Sequence, residues 1–234
     1  MKPVIGVVGH PYINKDDNLI FQTTNSIVKK ISEHGGLPII ICPTQIEDFV
    51  HKKNNNIRPL TFFEKKDLNE ILELCDGIIK PGGVRIYGYE RYIYEYTYNN
   101  DIPYLGICAG MQMMAQHSGE QINIKNDSNI NHCTKQKYAH KIKIVHGTLL
   151  YKILQQDEII VNSLHNYHIV NSGINKTNAY SLDGIIEGIE NPNKFFHLGL
   201  QWHPEGLDDL NSNKIFDSFI ETSSIYKKKI KKYN

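Results

Sequence analysis

The chain has 234 residues, 40% of them hydrophobic and 22% charged, with a formal net charge of +1. That is the size and balance of one ordinary folded domain, without the global field that would gather nucleic acid or an acidic membrane surface. No run reaches the ~20 apolar residues of a membrane span, and the four scattered cysteines, Cys42, Cys75, Cys108 and Cys133, read as free thiols in a reducing compartment, so a cytoplasmic location is expected.

In chain order, "PVIGVVG" is a first core strand, interrupted too early by Gly9, His10 and Pro11 for a signal sequence. Residues 20–34 predict a helix closed by Gly35 and Gly36, and "LPIIICP" predicts a second buried strand. A loop "NNNIRP" leads to an amphipathic helix in "EKKDLNEILELC", then to a third strand in "DGIIKPGG". A tyrosine-studded helix follows near 90–98, then the short strand "IPYLGI" and a helix from about Ala109. Strands alternating with helices imply parallel pairing with right-handed crossovers, hence an open α/β sheet. In the second half "KIKIVHG", "DEIIVNS", "GIIEGIE" and "FFHLGLQWH" follow one another without long helices between them, so antiparallel strands are expected there. A helix over about 210–226 closes the chain, and no linker or repeat divides residues 1–234, which are expected to form a single domain. The basic tail "YKKKIKKYN" reads as a solvated, dipole-favoured last turn.

Chemistry enters at "LGICAGMQ". Cys108 falls on the bend between a strand and a helix, with Gly106 and Gly110 on either side. Such a bend pushes its central side chain outward in a strained backbone, and neighbouring glycines relieve the crowding. The helix behind it favours thiolate over thiol, and its first free amide, on Ala109, points where an oxyanion would form. In "LGLQWHPEG", Gln201 and His203 share one face of a strand, and an extended chain would carry Glu205 to the same side as His203. A cysteine, a histidine to take its proton and a carboxylate to orient the histidine make a nucleophilic triad: Cys108, His203, Glu205. The Pro81-Gly82-Gly83 turn ends a buried strand, and the Gly83 amide is the expected partner of Ala109 in an oxyanion hole.

The set P-G-G, G-x-C-x-G-x-Q and Q-W-H-P-E, in this order, resembles the class I glutamine amidotransferase superfamily. "VNSLHNYHI" at 161–169 narrows the resemblance to its peptidase C26 branch, which includes γ-glutamyl-γ-aminobutyrate hydrolase. The resemblance runs from about Ile5 to Ile220. It implies a flavodoxin-like sheet and a hydrolase that cleaves a small γ-glutamyl amide through a thioester on Cys108, with His203 activating the thiol and protonating the leaving amine. It also implies that Gln112, one helical turn after Cys108, and His165 contact the glutamyl group. An alternative reading is the glutaminase subunit of an ammonia-transferring amidotransferase, with the synthetase on another chain. A third, non-catalytic reading sits poorly with a retained cysteine and histidine. The branch usually carries a longer stretch where this chain has "VRIYGYE", and often arginine where it has Ala109. Both departures border the leaving-group side and leave the released amine open.

The expected partner is a small-molecule γ-glutamyl compound, with no nucleic acid or membrane partner and a homodimer left open. No cofactor and no metal are expected. His132, Cys133 and His140 in "HCTKQKYAH" lack the second ligand pair of a structural zinc site. The tyrosines at 87, 89, 92, 94, 96 and 98 lack the basic surroundings of a nucleic-acid surface and read as helix packing or cleft rim. His10 falls near the crevice with a loop role equally open.

Overall fold

The computed structural model describes residues 1–49, 52, 57–124 and 130–230. The first strand, β1 (Val4–Val8), leads into a two-stranded hairpin of β2 (His10–Ile13) and β3 (Leu19–Gln22) before α1 (Asn25–Glu33). The helix expected over 20–34 therefore starts later. Its first residues are taken by β3, whose backbone finds partners in β2 through pairs such as Pro11 with Phe21. Next come β4 (Leu37–Ile41), α2 (Phe62–Glu73), β5 (Gly77–Lys80), α3 (Gly88–Asn99), β6 (Tyr104–Ile107) and α4 (Ala109–His117). The second half carries β7 (Ile122–Ile124), β8 (His140–Ile144), α5 (Leu149–Leu154), β9 (Glu158–Val161), β10 (Tyr167–Ile169), β11 (Lys176–Ser181), β12 (Ile186–Glu190), β13 (His197–Leu200) and α6 (Leu210–Ile230). Half of the predicted loop "NNNIRP", residues 54–56, lies outside the described residues.

The main sheet has nine strands in the order β4-β1-β5-β6-β13-β12-β11-β8-β9. The five from β4 to β13 pair in parallel, and β12, β11, β8 and β9 continue the sheet antiparallel. The antiparallel half is thus an extension of the same ladder. β4 forms an edge, so Leu37 and Ile40 are half-exposed where a buried strand was expected. β11, "KTNAYS", has no apolar alternation to announce it; its Asn178 is buried and donates from Nδ2 to Glu190 at 3.1 Å.

Strand side chains alternate between faces, and two apolar layers follow. Ile5, Val7, Leu105, Ile107, Leu198 and Leu200 pack with Ile27, Ile31, Phe216 and Phe219 of α1 and α6. Val8, Ile78 and Tyr104 pack with Leu68, Tyr94, Met111 and Met114 of α2, α3 and α4. The tyrosines of α3 serve this packing: Tyr89 and Tyr94 are buried, and Tyr94 meets Tyr104 edge-on with centroids 4.7 Å apart. Thr61 caps α2 reciprocally with Glu64, whose Oε2 accepts the Thr61 amide at 2.7 Å. α6 extends beyond its expected end, and Lys227, read as solvated, is instead buried in an ion pair with Asp76 at 2.8 Å. All four cysteines are free. No helix among the described residues is long and apolar enough to cross a membrane.

Candidate active site

β6 and β13 lie side by side in parallel, with Gly106 opposite Gly199 and Ile107 opposite Leu200. Their carboxyl ends therefore deliver Cys108 and His203 to one rim of the sheet, where open α/β sheets bind ligands. Cys108 has φ 50° and ψ −103°, a conformation that side chains beyond glycine avoid at a cost of about 1–3 kcal/mol. Its backbone is pinned on both sides: the Cys108 amide donates to Leu200 O at 2.7 Å, and its carbonyl accepts from the Gln112 amide at 3.1 Å. The flanking glycines fit for the expected steric reason. A Cβ on Gly106 would sit 2.7 Å from the Gly110 carbonyl carbon, and one on Gly110 would run into the Lys80 carbonyl oxygen. Ala109 opens α4, so its N–H has no intrahelical acceptor.

His203 is clamped by Asn162, whose Oδ1 accepts the His203 amide at 2.8 Å and whose Nδ2 donates to the His203 carbonyl at 2.8 Å. His203 Nδ1 lies 2.7 Å from Glu205 Oε1. The chain between them is a short 3-10 turn, Pro204–Gly206, where an extended run was expected. Pro204 starts that turn because its missing N–H costs nothing there, and the turn still folds the carboxylate onto the ring. Burial opposes a charged His203, but hydrogen bonds to Cys108 and Glu205 outweigh it and raise the imidazole from 6.5 to about 10. The arrangement favours an imidazolium beside the sulfur.

Gln201 Nε2 donates to Cys108 Sγ at 3.5 Å. Its Oε1 accepts from Gln112 Nε2 at 3.1 Å, and Gln112 also donates to the Tyr167 carbonyl at 3.1 Å. Gln112 thus reaches the thiol's surroundings through Gln201. His165 is turned elsewhere: Nδ1 faces the Tyr167 carbonyl at 3.1 Å, and Nε2 lies 3.2 Å from His132 Nδ1 within a buried group of histidines.

At the end of β5 the two glycines have different neighbours. A Cβ on Gly82 would sit 2.7 Å from His203 Cε1 and 3.4 Å from Cys108 Cβ, whereas one on Gly83 would meet His10 Cε1 at 3.0 Å. The peptide joining them therefore borders the cysteine and histidine. Below this turn Lys80 is fully buried, 3.1 Å from Glu90 Oε1, and donates to the Pro81 carbonyl at 3.0 Å. His10 approaches the same carboxylate at 3.5 Å, and Glu90 Oε2 accepts the Tyr87 amide at 2.9 Å. A cleft of about 550 Å³ opens beyond α3, lined by Arg58, Lys65, Arg91 and Tyr92 among others, but neither Cys108 nor His203 borders it.

Sequence reading singled out neither Gln201 nor Asn162 as a site residue. Both stand inside quoted motifs, Q-W-H-P-E and V-N-S-L-H, so position in those motifs was the available signal.

Comparison with known proteins follows the same lines. The family model described as Peptidase C26 matches residues 3–205. Protein NtpR of Enterococcus hirae is 26% identical over 250 residues, covering 94% of this chain and 99% of that protein. A CTP synthase of a Hydrogenobaculum species is 29% identical over 204 residues, which cover 72% of this chain but only 38% of the synthase. The solved glutaminase domain of Trypanosoma brucei CTPS, with bound acivicin, superposes with a TM-score of 0.70 at 18% identity over 95% of this chain and 94% of that one.

Proposed function

The chain belongs to the peptidase C26 family, glutamine amidotransferase-like hydrolases, and from that premise we propose that it is a cysteine glutaminase whose ammonia serves a separate acceptor chain. The observation carrying the chemistry is the contact of Cys108, His203 and Glu205 at the ends of adjacent strands. The Cys108 thiolate attacks the γ-carboxamide carbon, and the resulting oxyanion takes hydrogen bonds from the amides of Gly83 and Ala109. The C–N bond then breaks as His203 gives its proton to the departing nitrogen, leaving a γ-glutamyl thioester on Cys108. Water, losing a proton to His203, attacks the thioester and releases glutamate and the free thiol. Glu205 holds the His203 ring through Nδ1, and Gln201 donates to the sulfur when it is charged. The similarity to CTP synthases, of which this chain spans the lesser part, supports a synthetase as the consumer of the ammonia.

A second reading, hydrolysis of a γ-glutamyl amine by the chain alone, is favoured by the peptidase C26 match over residues 3–205. In both readings Gln112 lies on the glutamyl side of the site. Glutamate and ammonia release from glutamine and from γ-glutamyl amines, with the chain alone and with any co-purifying protein, separates them. Slow turnover that rises with a partner supports the glutaminase, and rapid turnover of a γ-glutamyl amine alone supports the second reading. Equal rates in the native protein and Cys108→Ala overturn both.

A further inference from the structure

Three histidines and a glutamate distant in sequence converge behind the active site. His132 precedes the isolated bridge between Cys133 and Leu164, His140 begins β8, His165 lies before β10, and Glu187 lies in β12. All four are buried, Glu187 completely. Glu187 Oε1 lies 3.0 Å from His132 Nδ1, 3.5 Å from His140 Nε2 and 3.6 Å from His165 Nε2. Ligand atoms of His132, His140 and Glu187 lie within 4.8 Å of one another.

The outer edge of each ring fixes its tautomer. His165 Nδ1 faces the Tyr167 carbonyl at 3.1 Å and His140 Nδ1 the Lys141 carbonyl at 3.2 Å, so those nitrogens carry the hydrogens. His132 Nε2 likewise donates to the Asp183 carboxylate at 3.1 Å. In neutral rings the inner nitrogens are then bare lone pairs. Two of them, His132 Nδ1 and His165 Nε2, face each other at 3.2 Å, which is repulsive unless something positive lies between. His140 Nε2 and Glu187 Oε2 have no hydrogen-bond partner among the described residues. An imidazole that gives its outer N–H to a carboxylate or carbonyl and turns a lone pair inward is oriented as a metal ligand is.

We propose that His132 Nδ1, His140 Nε2, His165 Nε2 and Glu187 Oε1 form a buried, closed site for one divalent cation of the zinc type. Tetrahedral coordination with bonds of about 2.0–2.1 Å spaces its ligand atoms about 3.4 Å apart. Four of the six ligand-atom separations, 3.0, 3.2, 3.5 and 3.6 Å, straddle that value, and His165 has to move toward the group of His132, His140 and Glu187 to complete the tetrahedron. Three imidazoles with one carboxylate suit a borderline cation such as Zn(II) over Mg(II) or Ca(II), which take oxygen ligands. Four protein ligands leave no open position, so the ion is structural. It would tie the segments carrying His132 and His165 to β8 and β12. Sequence reading set His132 and His140 aside for want of a second ligand pair. The missing ligands come from His165 and Glu187, while Cys133 is exposed.

The test uses untagged full-length protein, loaded with Zn(II), freed of loose metal by gel filtration and analysed for metal content, with a parallel titration by Co(II). The expected result is one retained ion per chain and the visible d–d absorption of four-coordinate Co(II), without thiolate charge transfer. Cys108→Ala keeps the ion, and His140→Ala and Glu187→Gln weaken it about 100-fold or more. If those variants do not fold, the wild-type metal content and Co(II) spectrum decide alone. A folded wild-type chain that retains no zinc and gives no such spectrum overturns the proposal. So does retention unchanged in both folded variants, or loss in Cys108→Ala with a thiolate band, which would place the ion at the cysteine.

Discussion

Gly82 lies against the His203 ring so closely that one added methyl would sit 2.7 Å from Cε1. The ring cannot step aside cheaply, because Glu205 holds Nδ1 and Asn162 grips its backbone on both sides. Gly82→Ala is therefore expected to lower kcat by about 10²-fold, the order associated with ~1 Å misplacement of a reacting group, with little change in Tm. Gly83→Ala faces the less constrained His10 ring and is expected to lose less. Steady-state glutamate release from the two variants, beside their melting curves, checks the difference.

Removing the charge behind the imidazole should be felt in rate and in pH dependence. Glu205→Gln is expected to reduce kcat by about 10²–10⁴-fold, since the ring loses the partner that orients it and stabilises its charge. His203 is raised from 6.5 to about 10, so its contribution to stability is complete below about 6.5 and is lost as pH rises through about 10. Melting temperatures from pH 6 to 10 should fall more steeply for the native protein than for Glu205→Gln. Parallel curves would refute the assignment.

Gln201 offers the sulfur a donor that serves the thiolate more than the thiol. Gln201→Met keeps the volume and removes the donor, and it is expected to slow alkylation of Cys108 by iodoacetamide near neutral pH about tenfold or more. The same change strips Gln112 of one acceptor, so KM for the glutamyl substrate should rise along with it. Alkylation rates across pH, compared with those of native protein, give the measurement.

The buried Lys80–Glu90 pair calls for a stability experiment. Lys80→Met leaves a fully buried carboxylate without its cation and is expected to cost about 3–5 kcal/mol in urea unfolding. Lys80→Met combined with Glu90→Gln should recover part of that loss, although the Glu90 contact with the Tyr87 amide at the start of α3 is weakened. A single variant as stable as the native protein would show the pair to be inert.

The parallel half of the fold was legible because β1, β4, β5 and β6 are short apolar runs, the last three each followed by a helix with its own period. Cys108 was legible because a steric demand, glycine on either side of a bend, leaves a mark in one dimension. The β2–β3 hairpin was not, since Leu19, Ile20 and Phe21 suit a helix until a partner strand is present. β11 was hidden because its burial is satisfied by polar contacts, as Asn178 shows with Glu190. Glu205 was read on the right side of His203 for a different backbone reason, extension where there is a turn. Gln201 and Glu187 escaped because the value of an amide or a carboxylate depends on what three-dimensional pairing sets opposite it.

The ladder joining β6 to β13 has one last implication. Neighbouring strands stand about 4.8 Å apart wherever they pair; Cys108 directly follows the last paired residue of β6, and His203 lies three residues beyond that of β13. The relative placement of the two strand ends is thus inherited from the pleat itself, like two teeth on one comb. Segments outside that ladder, such as 84–86, can be rewritten without moving those two ends.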